Sequence, residues 1–274
     1  MTIRLARRVC WIIGEEIVSV VSKEGQRHAG PRGIVVPGGG VHVMRARMIP
    51  LRDTIPSQSP PLMTLALIAV NVLVFLYELG LGPNLERSLL TYGFVPAVYF
   101  HISHVQPWNL PARFMPMVTS MFLHGGWLHL LGNMWTLWIF GDNVEDRLGK
   151  GRYLLYYLIC GLVAAYVHYL TGPRSGIPVV GASGAIAGVM GGYFVLFPRA
   201  RIVTLLPIFF FIQIVTLPAV VFLAFWFFAQ LLNGMVATAA SFGGGVAWWA
   251  HVGGFIAGAA MILPLRWAQP RDDA

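Results

Sequence analysis

Three polar stretches interrupt an otherwise oily sequence: the run from His124 through His129 to Asn133, Gly181-Ala182-Ser183-Gly184-Ala185, and Ala250-His251-Val252-Gly253-Gly254. Hydrocarbon is a costly place for a histidine or a hydroxyl, and such groups are kept there mostly for chemistry. A serine that meets a histidine makes a nucleophile and its general base. His129 and Asn133, at i and i+4, share one helix face and both carry donors. The residue types suit acyl transfer by a serine inside a membrane.

Composition supports the setting. Of 274 residues, 57% are hydrophobic and 11% charged, whereas soluble domains carry about 25% charged residues. The chain reads as an all-α polytopic membrane protein. Residues 1–61 differ from the rest: they hold nine Lys/Arg, many Gly and Pro, and no long apolar run. They read as a basic, disordered cytoplasmic segment. The competing expectation is that translation begins at Met44 or Met48. Glu15-Glu16 interrupts the apolar stretch after Arg7-Arg8, so no cleavable signal peptide is expected.

A bilayer takes about 20 apolar residues per helix. Six stretches qualify, at roughly 62–82, 127–146, 152–171, 180–197, 216–234 and 246–266, making 62–267 the membrane domain and 268–274 a short tail. Residues 83–126, with His101, His104, Trp108 and Pro111, read as a long aromatic loop. Residues 203–215 are apolar but run into Pro218; a re-entrant or interfacial segment is expected there, with a seventh short span as the alternative.

With the N-terminus inside, the inner segments hold 16 Lys/Arg and the outer ones only Arg87, Arg113 and Arg174. That asymmetry follows the positive-inside rule. The net charge of +8 therefore orients the chain, and nucleic acid is not an expected partner. Both termini fall in the cytoplasm. On this topology Ser183, His251, His129 and Asn133 share one layer just below the outer surface. Small residues supply close approach: Gly184, Gly188 and Gly192 in the fourth span, and Gly254 and Gly258 after His251 in the sixth.

These motifs resemble the rhomboid family of intramembrane serine proteases. The nucleophile motif is Gly181-Ala182-Ser183-Gly184-Ala185, the base motif is His251 with Gly254 and Gly258, and the second-span motif is His129-Leu130-Leu131-Gly132-Asn133. Gly141, Glu145, Gly149 and Tyr153 match a further pattern across the second to third span turn. The resemblance covers about residues 48–267 and implies a six-transmembrane-helix bundle of the prokaryotic type. It further implies a Ser183–His251 dyad, with His129, Asn133 and the Ser183 N–H as oxyanion donors. No acid falls near the outer ends of the fourth or sixth span, so the dyad has no third carboxylate.

Glu145 is expected to fix the turn into the third span, and His124 to hold a structural or water site. Some family members carry an aromatic four residues after the nucleophile, packed on the histidine; here that position is Ala187. Phe222, Phe225, Trp226 and Phe228 make the fifth span a gate candidate, with an ordinary lipid-facing wall as the alternative.

The implied partners are single-pass transmembrane proteins, cut near their outer end, together with membrane lipids. An inner or plasma membrane location follows from the same resemblance. A rhomboid-like protein that binds client helices without cutting them is the alternative function. A proton-relaying transporter would favour carboxylates deep in the membrane, yet the spans hold only Glu78, near the outer end of the first, and Asp142, Glu145 and Asp146, at the inner end of the second. Cys10 and Cys160 lack metal-ligand spacing, no H-E-x-x-H motif occurs, and no cofactor or metal is expected. Substrate identity and oligomeric state are not legible.

Overall fold

The computed structural model describes residues 48–208, 211–239 and 246–265. Among them, strand β1 (Ile49–Asp53) leads into helices α1 (Leu62–Gly80), α2 (Leu85–Tyr92), α3 (Pro96–Val105), α4 (Leu110–Thr119), α5 (Trp127–Leu148), α6 (Lys150–Thr171) and α7 (Ser183–Leu196). Strands β2 (Arg201–Ile208) and β3 (Phe211–Pro218) follow, then α8 (Ala219–Ala239) and α9 (Trp248–Leu265). Lipid offers the backbone no water to bond, so the apolar stretches fold as helices that pair their own N–H and C=O groups.

By length and composition, α1, α6, α8 and α9 are each long and apolar enough to cross a membrane. The 22-residue α5 carries Asp142, Glu145, Asp146 and Arg147 in its last turns. The 14-residue α7 is about 21 Å long at 1.5 Å per residue, short of the ~30 Å hydrocarbon core. The chain is a helical, polytopic membrane protein.

α7 sits at the centre, packed most extensively on α9 and next on α6 and α5. Every residue from Gly184 to Tyr193 is buried. Tyr156 ties α6 to it by donating from its hydroxyl to the Gly188 carbonyl at 2.7 Å.

Several expectations need correction. The stretch 83–126 is not a broken loop but folds as α2, α3 and α4, and His101 and His104 lie on α3. Proline breaks helix interiors, but Pro96 and Pro111 sit in first turns, where a missing N–H costs nothing. Asn109 caps α4 by accepting from the Ala112 N–H at 3.2 Å.

The apolar run 203–215 is neither a re-entrant segment nor a span. Its described residues, 203–208 and 211–215, belong to an antiparallel sheet of order β1-β2-β3, in which Arg201 pairs with Pro218 and Leu205 with Ile214. Its β-branched and apolar residues suit a pleated surface better than a helix. Among the described residues the fold is thus helical with one small sheet. Residues 1–47 and the tail 268–274 lie outside the described residues. Within 48–61, however, Ile49–Asp53 is a strand paired with β2, and Trp135 of α5 donates to the Pro50 carbonyl at 2.7 Å.

Glu145 also acts elsewhere than expected. Its carboxylate accepts from the Met63 N–H at 2.9 Å, and from the Thr64 N–H and hydroxyl at 2.8 Å each. Helix starts leave such amides without intrahelical acceptors, and Pro61 brings no side-chain cap. Glu145 therefore caps α1. The turn from α5 to α6 is made by Gly149, whose φ of 75° a side chain would strain.

Candidate active site

Ser183 is the first residue of α7, and its N–H is one of the amides a helix start leaves free for another acceptor. The turn that delivers it depends on Gly181, at φ 123°. The Gly181 N–H donates to the Ser120 carbonyl at 2.9 Å. A Cβ there would lie 2.6 Å from the His129 Cε1 atom and 2.7 Å from its Nε2. Both backbone conformation and space demand glycine, and that closeness puts the His129 ring beside the turn that carries Ser183.

His251 lies in the first turn of α9, only 3% exposed. Its Nε2 is 2.8 Å from Ser183 Oγ, a hydrogen bond across 68 residues of sequence. The crossing of α7 and α9 makes this possible. At Gly254 and Gly258 the neighbouring Gly184 and Gly188 carbonyls occupy the space a Cβ would need.

His129 and Asn133 project from one face of α5 into the same cavity as Ser183 and His251. Asn133 is buried, and its Nδ2 donates to His124 Nε2 at 3.0 Å. The His124 N–H in turn donates to the Glu78 carboxylate at 3.0 Å. His124 is therefore the structural partner that aims the Asn133 amide, and Glu78 anchors it from α1.

Burial, followed by the neighbouring His129, pushes the His124 ring from its ordinary 6.5 down to about 3. The ring stays neutral, as an acceptor at Nε2 requires. Because its pKa is lowered on folding, the unfolded chain binds a proton that the folded protein refuses. Stability should fall as pH drops below about 6.5 and stop falling near 3, by about 1.4 kcal/mol per pH unit for this group. Thermal unfolding in detergent checks this: His124→Gln should lose less in Tm than wild type between neutral and acidic pH.

Two aromatic rings brace His251 where Ala187 offers none. Trp226 of α8 is tilted against it at 6.0 Å between centroids, and Trp248 meets it edge-on at 6.3 Å. Trp226 and Phe222 face the cavity, while Phe225 and Phe228 are 49% and 59% exposed on the outer side of α8. The gate candidate thus divides into an inward pair and a lipid-facing pair.

The cavity, about 80 Å³, is lined by the Ser183–His251 pair, by residues of α5 and α8, and by Met48 and the β1 residue Pro50. A polar neighbour of His251 escaped the sequence reading: Gln230 of α8, 2% exposed, places its Oε1 2.7 Å from His251 Nδ1. The signal was available, since Gln230 is a lone amide in the run Phe227-Phe228-Ala229-Gln230-Leu231-Leu232. Among the described residues no group of three His, Cys, Asp or Glu is placed to hold a metal ion.

A family model, described as the rhomboid domain, matches residues 111–268, more than half of the chain. The presenilin-associated rhomboid-like protein, mitochondrial, of Homo sapiens is 32% identical over 147 residues, 52% of this chain and 35% of that protein. Rhomboid protease GluP of Bacillus subtilis is 33% identical over 132 residues, 48% of this chain and 24% of that protein. The presenilin-associated rhomboid-like protein A, mitochondrial, of Danio rerio is 34% identical over 99 residues, 35% and 26% of the two chains. The match therefore spans only about a quarter to a third of the length of these relatives. The chain belongs to the rhomboid family.

Proposed function

We propose that this chain is an intramembrane serine endopeptidase that cuts single-pass transmembrane proteins near the outer membrane face. The carrying observation is the 2.8 Å contact between Ser183 Oγ and His251 Nε2 at the wall of a cavity. Ser183 attacks the scissile carbonyl carbon while His251 Nε2 takes the hydroxyl proton. The carbonyl π pair moves onto oxygen, giving a tetrahedral oxyanion. His251 then returns the proton to the leaving amine as the C–N bond breaks, and water later releases the acyl group by the same route.

The oxyanion donors are His129, Asn133 and the Ser183 N–H, which gather around Gly181: Asn133 Nδ2 is 3.6 Å from the Cβ position there, and the His129 ring is closer. Removing one such donor typically costs about 10²–10³-fold in kcat. Asn133→Ala should show a loss of that order with little change in KM, measured on a peptide or transmembrane substrate.

Six spans (α1, α5, α6, α7, α8 and α9), both termini in the cytoplasm and an inner or plasma membrane location belong to the same proposal. The asymmetry of 16 to 3 basic residues supports it. Substrate helices would enter laterally from lipid beside α8, whose packing is on α9 and α7. No cofactor takes part.

The test is cleavage of a labelled single-pass substrate by purified protein in liposomes, with the cut located by mass spectrometry. A cut near the outer end of the substrate helix supports the proposal. Client helices that bind but stay intact would favour the second reading, a rhomboid-like client-binding protein; relatives named rhomboid-like rather than rhomboid protease keep it in view.

A further inference from the structure

We infer that Gln230 is the positioning residue of the base: its side-chain oxygen holds His251 in the tautomer that leaves Nε2 free to take the Ser183 proton. This rests on the protease reading and adds a residue to it. An amide oxygen carries no proton, so a 2.7 Å contact with His251 Nδ1 needs the hydrogen on Nδ1. A neutral imidazole has only one ring proton. With Nδ1 occupied, the lone pair on Nε2 faces Ser183 Oγ at 2.8 Å. The opposite tautomer would present an N–H to the hydroxyl and could not accept its proton.

The same bond serves after the proton has moved. His251 becomes a cation in a place that is 3% exposed, where solvent can do little for it. The Gln230 amide dipole, already aimed at Nδ1–H, stabilises that cation without reorganising. It does so without a second buried charge, which would itself have to be desolvated. In serine proteases of the triad type a carboxylate does this orienting work. Here the acceptor is neutral, and it comes from α8, on which Trp226 and Gln230 are one turn apart and both reach the imidazole. One face of α8 thus fixes the ring plane and the ring proton together.

The experiment compares wild type, S183A, Q230M and Q230E in liposomes on one transmembrane substrate. Methionine keeps the length of the side chain and removes the acceptor; glutamate keeps an oxygen at its end. A general base supplies about 10²–10⁴-fold, of which Q230M should forfeit about tenfold or more in kcat, with KM nearly unchanged. Q230E should recover most of that loss. A folded Q230M that turns over like wild type would overturn the inference, as would a Q230E no better than Q230M.

If Q230M does not fold, ¹⁵N spectra of histidine-labelled wild type decide, with the His251 signals assigned by difference against H251N. A protonated Nδ1 supports the inference and a protonated Nε2 ends it. A wild type that fails to cut would remove the protease reading and this role with it. A cutting wild type with inactive S183A and unaffected Q230M would remove this role alone.

Discussion

Ser183→Ala should lose cleavage by at least about 10⁴-fold, His251→Ala should lose as much, and the double variant should be no worse than either. The two groups act as one unit, since without the nucleophile there is no proton for the base to take. Ser183 occupies the first position of α7 and is half-buried, so alanine fits there without a clash. Its lost hydrogen bond to His251 is worth about 1 kcal/mol. Ser183→Ala should therefore unfold within a few degrees of wild type while its kcat collapses. Cleavage of the substrate, run beside thermal unfolding in the same detergent, separates the two effects. Persistent cutting by Ser183→Ala at the wild-type rate would remove Ser183 as the nucleophile.

Much of that site was legible because polarity in an apolar span is conspicuous. Ser183, His251, His129 and Asn133 each stand out, and helical spacing alone puts His129 and Asn133 on one face of α5. The same criterion would have reached Gln230, but an uncharged amide carries less suspicion than a histidine, and nothing in sequence says that residue 230 faces residue 251. Glu145 was legible as structural but not in its partner. Its bond to Thr64 spans 81 residues, and a cap supplied from a distant helix leaves no local pattern.

The sheet was hidden for a different reason. An apolar run such as Val203 to Ile208 has the same composition in a buried strand and in a membrane segment. What decides is pairing: β2 pairs with β3, its neighbour in sequence, and with β1, about 150 residues earlier in the chain. The membrane count shows the same limit. α5 spends its last turns on charged residues and α7 has only 14 residues, so among the described residues four helices are long and apolar enough to cross, where the apolar stretches of the sequence suggest six.

Gly254→Ala should lower kcat by about 10²-fold and lower Tm, and Gly258→Val should fail to give folded protein. A Cβ at Gly254 would meet the Gly184 carbonyl, and one at Gly258 the Gly188 carbonyl. Both obstacles are backbone, so no side chain can swing aside, and α9 must withdraw from α7. Glycine at these points lets Cα–H groups rest against facing carbonyls, a contact common between close helices. Ser183 rides on α7 and His251 on α9, one turn from Gly254. Any withdrawal lengthens the 2.8 Å bond between them, and a misplacement of about 1 Å can cost about 10²-fold in rate. Gly151→Ala is the control: nothing lies within 4 Å of its Cβ position on α6, so it should retain activity and gain up to about 1 kcal/mol from helix propensity. A Gly254→Ala protein that cuts and melts like wild type would mean that the crossing tolerates a methyl group and that the dyad is not held by backbone contact. The expected result, a loss of rate larger than the loss of stability explains, would tie catalysis to the distance between two helices rather than to either residue alone.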